Sequence, residues 1–326
     1  MKRAIKITML MTIKEFKRKT LDTIIKIINF CKGEFHIFLF FIILLLLFVF
    51  AISYPHIATL INKKSETEWQ CGWQYWQKQE YNKAYSHWTN ARRLTFFNKN
   101  QNPKHLYWSS EALKRLGKTS ESEYYTKRLI KKFPNTYYSL LVEEQPLSTL
   151  DKEYLKNRYP KKWETLVKNV SSKSDVSPYL IWAIMRQESK FRKNAISKSG
   201  AVGLMQLMPT TASYKAKKLN IKEYDLYTPK DNIFLGSIYI GDLLRDFNSN
   251  IILSLASYNA GRSPVKSWGN LNATNWTEWI EMIPYKQTRI FVCNTLANYI
   301  MYQRIYGNEN NFKTIKEYIN ILPSLK

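Results

Sequence analysis

The stretch ESKFRKNAISKSGAVGLMQLMP, residues 188–209, decides how the second half of this 326-residue chain is interpreted. It continues the segment SDVSPYLIWAIMRQES (174–189), where Pro178 suits the first position of a helix and Ser177 its N-cap. Glu188 extends the apolar face of that helix. The apolar members of the face are Ile181, Ile184 and Met185. A carboxyl group beside apolar side chains has a raised pKa and can donate its proton near neutral pH. The pattern predicts a general acid at Glu188; the alternative is a surface carboxylate at a helix end.

The residues that follow Glu188 indicate a cleft. Gly200 and Gly203 permit tight turns or the close approach of a ligand to the backbone. Four later side chains suit a carbohydrate. Gln206 can hydrogen-bond a sugar, Met208 offers an adaptable apolar contact, Tyr258 offers a hydroxyl and a ring, and Asn259 can brace a carboxyl group or a turn. Taken singly each is ordinary, because most tyrosines are core residues and Asn before Ala-Gly is usually in a turn.

Five motifs stand in order along the second half of the chain. They are QES (187–189), GLMQLMP (203–209), LYTPKDNIFLGSIYI (226–240), SYNAG (257–261) and IPYKQTRIFV (283–292). Together they make the region from about 160 to 307 resemble the soluble lytic transglycosylase domain, glycoside hydrolase family 23, with a goose-lysozyme-like helical fold. The resemblance implies that Glu188 is the catalytic acid/base. It also implies that Ser197, Gln206, Met208 and Tyr258 face the glycan.

The resemblance further implies a reaction that uses one acid. Most glycosidases use two carboxylates, but none of the acids between residues 188 and 261 lies in the loop motifs. Those acids are Glu223, Asp225, Asp231, Asp242 and Asp246. In the family, the acid protonates the bond between N-acetylmuramic acid and N-acetylglucosamine, and the muramoyl C6 hydroxyl attacks C1 to form a 1,6-anhydro ring. No cofactor and no metal is implied. Two alternatives are a hydrolytic muramidase and a non-catalytic wall-binding scaffold.

Position 287 departs from the family pattern. The family usually has Glu before the Thr-Arg of the last motif, and this chain has Gln287. Glutamine keeps the size and the hydrogen bonding of glutamate but loses its charge. We therefore expect an altered rate or pH optimum, with activity retained because Glu188 is present.

The N-terminal segment predicts a membrane anchor. Residues 37–52 are uninterrupted apolar, and with their flanks reach the length that a bilayer helix needs. Residues 1–34 carry nine Lys or Arg and three acidic residues, so the positive-inside rule keeps this end cytoplasmic. The alternative is a cleaved signal peptide with a weak site at Ala51–Ser53. We expect a single-pass protein of the inner or plasma membrane, with its catalytic domain periplasmic or extracellular.

The middle of the chain has the pattern of paired helices. QKQEYNKAYSHWTNARRL (77–94) places Tyr81, Ala84, Trp88 and Ala91 on one helical face. Thr119, Ser122, Thr126 and Leu129 repeat these offsets. This resembles tetratricopeptide-type hairpins only loosely, and an unrelated helical domain explains it equally well. Either way we expect a spacer or a docking surface for cell-wall proteins.

Composition limits the remaining possibilities. The chain is 45% hydrophobic with a net charge of +25, which excludes a disordered protein and suits an anionic partner such as a wall polymer. No nucleic-acid motif is present, and we expect no nucleic-acid partner. Cys31, Cys71 and Cys293 form no metal pattern; Cys71 and Cys293 could pair, but lone buried thiols are favoured.

The sequence thus predicts a mainly α, or all-α, chain. Its predicted segments are a basic cytoplasmic segment (1–34), a transmembrane signal-anchor helix (35–55), a tetratricopeptide-like helical spacer (56–150), a lysozyme-like lytic transglycosylase domain (160–310) and a C-terminal tail (311–326).

Overall fold

The computed structural model describes residues 18, 21–23, 34–95, 103–143, 147–269, 271–307 and 314–320. These residues form helices and isolated β-bridges, and no strand is found among them. The bridges join Ile196 to Val202 and Val202 to Leu207. The predicted mainly α fold class is confirmed.

The helices follow one another closely along the chain. In order they are α1 (Glu34–Gln77), α2 (Tyr81–Leu94), α3 (Pro103–Arg115), α4 (Thr119–Lys132), α5 (Tyr137–Leu140), α6 (Thr149–Lys156), α7 (Glu164–Ser174), α8 (Pro178–Ser189), α9 (Pro209–Lys218), α10 (Pro229–Asp246), α11 (Ile251–Ala260), α12 (Arg262–Trp268), α13 (Trp276–Met282), α14 (Lys286–Tyr306) and α15 (Ile315–Asn320). They divide into two compact units, Met1–Lys118 and Thr119–Lys326. The domain limits drawn from the sequence remain predictions.

The first unit has a core of tryptophans contributed by α1, α2 and α3. Its members are Trp69, Trp73, Trp76, Trp88 and Trp108. The Trp73 and Trp108 rings lie 4.7 Å apart, edge to face, a geometry that aromatic pairs prefer. A Cβ at Gly72 would lie 2.2 Å from Nε1 of Trp88, so this glycine lets α1 approach the Trp88 ring. Ala84 and Ala91 are fully buried, as expected from the face predicted on α2.

The predicted membrane anchor falls on the first half of α1. Among the described residues, we find no helix that combines the length and the apolar character needed to cross a bilayer. Many side chains of the predicted span, including those of 35–38 and 49–53, lie outside the described residues, as does most of the basic segment 1–34. The transmembrane helix is therefore not supported by the described residues.

The second unit is built around α8 and α14, which pack against each other. Residues 180–185 of α8 are all buried, as are most apolar residues of α14. The rings of Trp182 and Tyr302 stack between the two helices, with centroids 5.9 Å apart. The Trp182 indole N–H donates to the Lys162 carbonyl over 2.9 Å, so the largest α8 side chain is satisfied. This packing fixes α8 and therefore the position of Glu188 near its end.

Candidate active site

Helix α8 begins and ends close to where the sequence predicts. Pro178 occupies its first turn, and Ser177 stands at the N-cap position. The expected cap hydrogen bond from Ser177 is absent, however, because its hydroxyl accepts from no backbone N–H of the first turn. The helix ends at Ser189, and Lys190 takes a left-handed conformation with φ 51°. Glu188 therefore sits in the last turn, directly before the loop that leads to α9.

Glu188 is largely withdrawn from water. Burial raises the pKa of its carboxyl group to about 8 from an ordinary value of 4.5, and burial is the only cause of this shift. Transfer from water penalises the charged form of a carboxyl group, and no cation among the described residues offsets that penalty for Glu188. Glu188 is consequently protonated at neutral pH, which is the state required of a general acid.

Tyr258 lies within electrostatic reach of Glu188. Burial first, and then the charges of Glu188 and Tyr239, raise the pKa of the Tyr258 phenol far above its usual value. Its hydroxyl donates to the Met205 carbonyl over 2.8 Å. Its ring stacks on Phe291 of α14 with centroids 6.2 Å apart and planes within 4°. Tyr258 is therefore uncharged and fixed in place, and it connects the loop before α9 to helix α14.

The loop between α8 and α9 is held by backbone hydrogen bonds. The amide and carbonyl groups of Val202 and Leu207 pair over 2.9 and 3.0 Å, and the Gly203 amide donates to the Ala195 carbonyl over 2.8 Å. Gly203 has φ 80°, and a Cβ there would lie 2.1 Å from the Asn232 side chain and 2.5 Å from the Leu226 carbonyl. Only glycine suits this position, both for its conformation and for the space around it.

Asn232 anchors this loop, a role that is not predicted from the sequence. Its Oδ1 accepts from the Met205 amide over 2.8 Å, and its Nδ2 donates to the carbonyls of Val202 and Leu226 over 3.0 and 2.8 Å. Because Asn232 is fully buried, these hydrogen bonds are shielded from water. The available signal was an amide in the first turn of α10, inside the motif LYTPKDNIFLGSIYI.

The three loop residues predicted to contact the glycan differ in whether their side chains are already hydrogen-bonded within the loop or exposed to solvent. The Gln206 amide donates to the carbonyls of Ala195 and Gly203, so this side chain closes the loop rather than pointing its donors at a ligand. The Ser197 hydroxyl accepts from the Ala201 amide over 2.9 Å. Met208 is 38% exposed at the N-cap of α9 and is available for contact. Their roles toward a glycan remain predictions.

Asn259 connects two helices. Its Oδ1 accepts from the Thr288 hydroxyl over 2.8 Å, which ties the end of α11 to the start of α14. Arg289 donates to the Glu281 carbonyl over 2.7 Å. The Thr-Arg pair of the last motif therefore positions α14, a function that the sequence analysis did not assign. Gln287, immediately before this pair, is exposed in the first turn of α14.

The other acids of this region have partners of their own or are exposed. Asp231 accepts hydrogen bonds from the Asp225 amide and from the hydroxyl of Thr228, the N-cap residue of α10. Asp242 pairs with Lys215 and Arg245, and Asp246 pairs with Arg262 over 2.9 Å. Within the described residues, no group of His, Cys, Asp and Glu side chains could hold a metal ion, and Cys71 and Cys293 are free thiols.

Parts of this chain are similar in sequence to known proteins. A family model described as Transglycosylase SLT domain matches residues 165–278. The soluble lytic murein transglycosylase of Escherichia coli K12 is 32% identical over 195 residues, which cover 57% of this chain and 30% of that protein. The membrane-bound lytic murein transglycosylase E of Buchnera aphidicola subsp. Baizongia pistaciae is 32% identical over 144 residues, which cover 40% of this chain and 68% of that protein. The chain belongs to the lytic murein transglycosylase family. It spans about a third of the length of the soluble relative.

The fold of this chain is similar to that of a solved structure. The 70-kDa soluble lytic transglycosylase, in complex with bulgecin A, superposes with a TM-score of 0.62 at 21% identity, over 80% of this chain and 53% of that one. This similarity agrees with the mainly helical fold expected from the sequence, and the lysozyme-like character of the domain stays a prediction.

Proposed function

We propose that this chain is a peptidoglycan lytic transglycosylase that uses Glu188 as its single acid and base. The observation that carries the proposal is the burial of Glu188 at the end of α8, which raises the pKa of its carboxyl group to about 8. A side chain that is protonated at neutral pH can donate to a glycosidic oxygen without help from a second acid.

The proposed reaction begins with proton transfer from Glu188 to the oxygen that links N-acetylmuramic acid to N-acetylglucosamine. The C–O bond then breaks, and the leaving sugar departs as an alcohol. The Glu188 carboxylate next takes the proton of the muramoyl C6 hydroxyl as its oxygen attacks C1. The product is a 1,6-anhydro ring, and no water is consumed. Attack from within the same sugar benefits from proximity, which compensates for the missing second carboxylate.

The surroundings of Glu188 fit each stage of this reaction. Tyr258 keeps its proton because burial raises the pKa of its phenol far above the usual value, so it offers a stable neutral surface to a sugar. Met208 presents an exposed thioether for an apolar sugar face. Ser197 and Gln206 lie on the loop that connects α8 to α9. Asn259 acts through Thr288 by fixing the start of α14.

Mass analysis of products tests the proposal. The full chain in detergent micelles is incubated with purified peptidoglycan, beside a Glu188→Gln variant that keeps the shape of the side chain. We expect anhydro-muropeptides from the wild type and a loss of about a thousandfold in rate from the variant, the range for a general acid. Products with reducing ends would instead establish a hydrolytic muramidase. Equal product from both proteins would remove Glu188 from the mechanism.

We propose further that α1 anchors the protein in the inner or plasma membrane, with the N-terminus cytoplasmic and the SLT domain outside. Large apolar side chains on α1 are exposed: Phe41 and Leu45 at 61% and Phe48 at 63%. Exposed apolar surface of this kind is unfavourable in water, and a bilayer would cover it. Alkaline carbonate extraction of cell membranes tests this proposal. Retention in the pellet is expected, and release into the supernatant would contradict an integral anchor.

The helices of the first unit are proposed as a spacer between the membrane and the wall. They also offer a surface to other proteins of cell-wall assembly. The tryptophans of this unit lie in its own core, and the surface of α2 is the part proposed for such contacts.

A further inference from the structure

Helix α5 is a short element of the second unit that is buried along its whole length. All four of its residues, 137–140, are buried. Thr136 and Ser139 close the start of the helix, because the hydroxyl of each accepts from the backbone N–H of the other. Tyr138 lies outside the predicted catalytic domain (160–310), but it belongs to the same compact unit. No step of the proposed reaction involves α5.

Tyr138 and Glu281 form a buried hydrogen bond. The Tyr138 hydroxyl donates to Oε1 of Glu281 over 2.5 Å, although the two residues are 143 positions apart in the chain. Tyr138 is 8% exposed and Glu281 is 2% exposed. Burial first, and then the charge of Glu281, raise the pKa of the Tyr138 phenol well above its usual value, so the phenol stays a donor. A hydrogen bond to a carboxylate that is shielded from water is stronger than one between neutral groups. This bond therefore ties the last turn of α13 to α5.

Glu281 lies at the corner where α13 ends and α14 begins. Arg289 of α14 donates to the backbone carbonyl of Glu281 over 2.7 Å, so both the side chain and the backbone of Glu281 are held. Thr288, one residue before Arg289, donates to Oδ1 of Asn259 over 2.8 Å. The corner formed by residues 281–289 is thus fixed on one side by Tyr138 and on the other by the end of α11.

The corner supports Tyr258 of the candidate active site in two ways. Asn259, which accepts from Thr288, follows Tyr258 directly in the chain. Phe291, one turn beyond Thr288 on α14, stacks on the Tyr258 ring with centroids 6.2 Å apart. The charge of Glu188 acts on the Tyr258 phenol, so these two side chains are close to each other. A displacement of the corner would therefore move Tyr258 relative to Glu188.

We propose that Tyr138 is a positioning residue for the cleavage reaction, which acts through Glu281 and the corner 281–289 to hold Tyr258 in place beside Glu188. The inference rests on the proposed function, because it assigns a remote support to the site of that reaction. Tyr138 touches no substrate in this scheme. Its loss should therefore lower the rate of the chemical step and not the affinity for the glycan, since small displacements at a reacting centre lower the rate.

Steady-state kinetics of muropeptide release test the proposal in the full chain in detergent micelles. Tyr138→Phe removes the hydroxyl and keeps the ring. Glu281→Met removes the acceptor at similar size, whereas Glu281→Gln keeps an oxygen that can accept from Tyr138. The matched control is Tyr306→Phe, which also removes one tyrosine hydrogen bond. The Tyr306 hydroxyl donates to the Tyr159 carbonyl over 2.8 Å at the far end of α14.

We expect Tyr138→Phe and Glu281→Met each to lower kcat about tenfold with KM unchanged. Glu281→Gln and the control should stay close to wild type. The double variant Tyr138→Phe/Glu281→Met should lose no more than either single variant, because both changes remove the same hydrogen bond. Additive losses, an equal loss in Tyr306→Phe, or a higher KM with unchanged kcat would each overturn the proposal.

Amide hydrogen exchange separates this proposal from the function on which it rests. Exchange of residues 257–261 and 281–292 is followed by mass spectrometry in the wild type, Tyr138→Phe and Tyr306→Phe, without substrate. We expect faster exchange in both segments in Tyr138→Phe alone. Unchanged exchange and unchanged kcat, with anhydro products from the wild type, would remove the positioning role and leave the function standing. Faster exchange without anhydro products from any of the proteins would keep the tie between Tyr138 and the corner and remove the function.

Discussion

Glu188 and Asp242 are two shielded carboxyl groups of the same unit in opposite electrostatic settings. Glu188 has no cationic partner, and burial raises the pKa of its carboxyl group to about 8. Burial also pushes the pKa of Asp242 upward, but hydrogen bonds and charges from Lys215 and Arg245 outweigh burial and hold it below its usual value. The difference shows that burial alone does not fix the role of an acid. A buried carboxyl group can act as a proton donor at neutral pH only where no Lys or Arg side chain lies beside it.

The largest effect is expected from the loop that follows Glu188. Gly203→Ala should destabilise the protein by about 3 kcal/mol or more, because φ is positive there and a Cβ would collide with Asn232 and the Leu226 carbonyl. The same change should lower activity, since the loop carries the Met205 carbonyl that holds Tyr258. Chemical denaturation gives the free energy of unfolding, and muropeptide release gives the activity.

Gly200→Ala is the matched control for this loop. Gly200 also has positive φ, but a Cβ there would meet open space. A cost of about 1 kcal/mol is expected from the conformation alone. Equal destabilisation by the two variants would show that the contact with Asn232 is not what restricts position 203.

Removing the charge from Asp242 should destabilise the fold. Asp242→Asn leaves Lys215, whose side chain is 3% exposed, without its carboxylate, and we expect a loss of roughly 3 kcal/mol at pH 7. Since the folded pKa of Asp242 is lowered, its contribution is present above the unfolded pKa and is lost as pH falls through the folded one. The difference between wild type and variant should therefore shrink in acid. A pH-independent difference would contradict the electrostatic origin.

The contribution of Glu188 to stability should depend on pH in the opposite direction from that of Asp242. The unfolded chain ionises this carboxyl group near pH 4.5 and the folded chain near pH 8, so the folded state holds one more proton between these values. Stability consequently falls as pH rises across this window, and Glu188→Gln removes the loss. We expect the variant to be more stable than wild type at pH 8 and equally stable at pH 4. A variant that is less stable than wild type at pH 8 would show that ionising Glu188 does not destabilise the folded state.

The smallest effect is expected at position 287. Gln287→Glu would place a carboxylate in the exposed first turn of α14, where solvent screens it. We expect a shift of a few tenths of a unit in the pH optimum of muropeptide release and an unchanged fold. Lys286→Gln, which alters charge at the adjacent exposed residue, is the control. An identical shift in both would mean that the effect is general and does not depend on position 287.

The sequence predicts the elements of this site better than the bonds between them. The apolar face of α8 and the proline at its start predict Glu188 on the apolar side of a helix end, and the burial in the structure decides against the alternative of a surface carboxylate. The roles of Asn232 and Thr288 could not be derived, because an amide or a hydroxyl on a helix has no visible partner until the chain has folded. The same limit explains Gln206, whose donors turn back to the carbonyls of its own loop. Spacing identifies which residues lie together, whereas the direction of each side chain depends on contacts between distant segments.

The central claim is that Glu188 is protonated at neutral pH because it is buried without a cation. Carboxyl-selective ¹³C NMR of the full chain labelled at glutamate, compared with Glu188→Gln to assign the resonance, measures its pKa directly. A midpoint near pH 8 is the predicted result. A midpoint near 4.5 would show that Glu188 is an ordinary carboxylate and that the acid of the proposed reaction lies elsewhere.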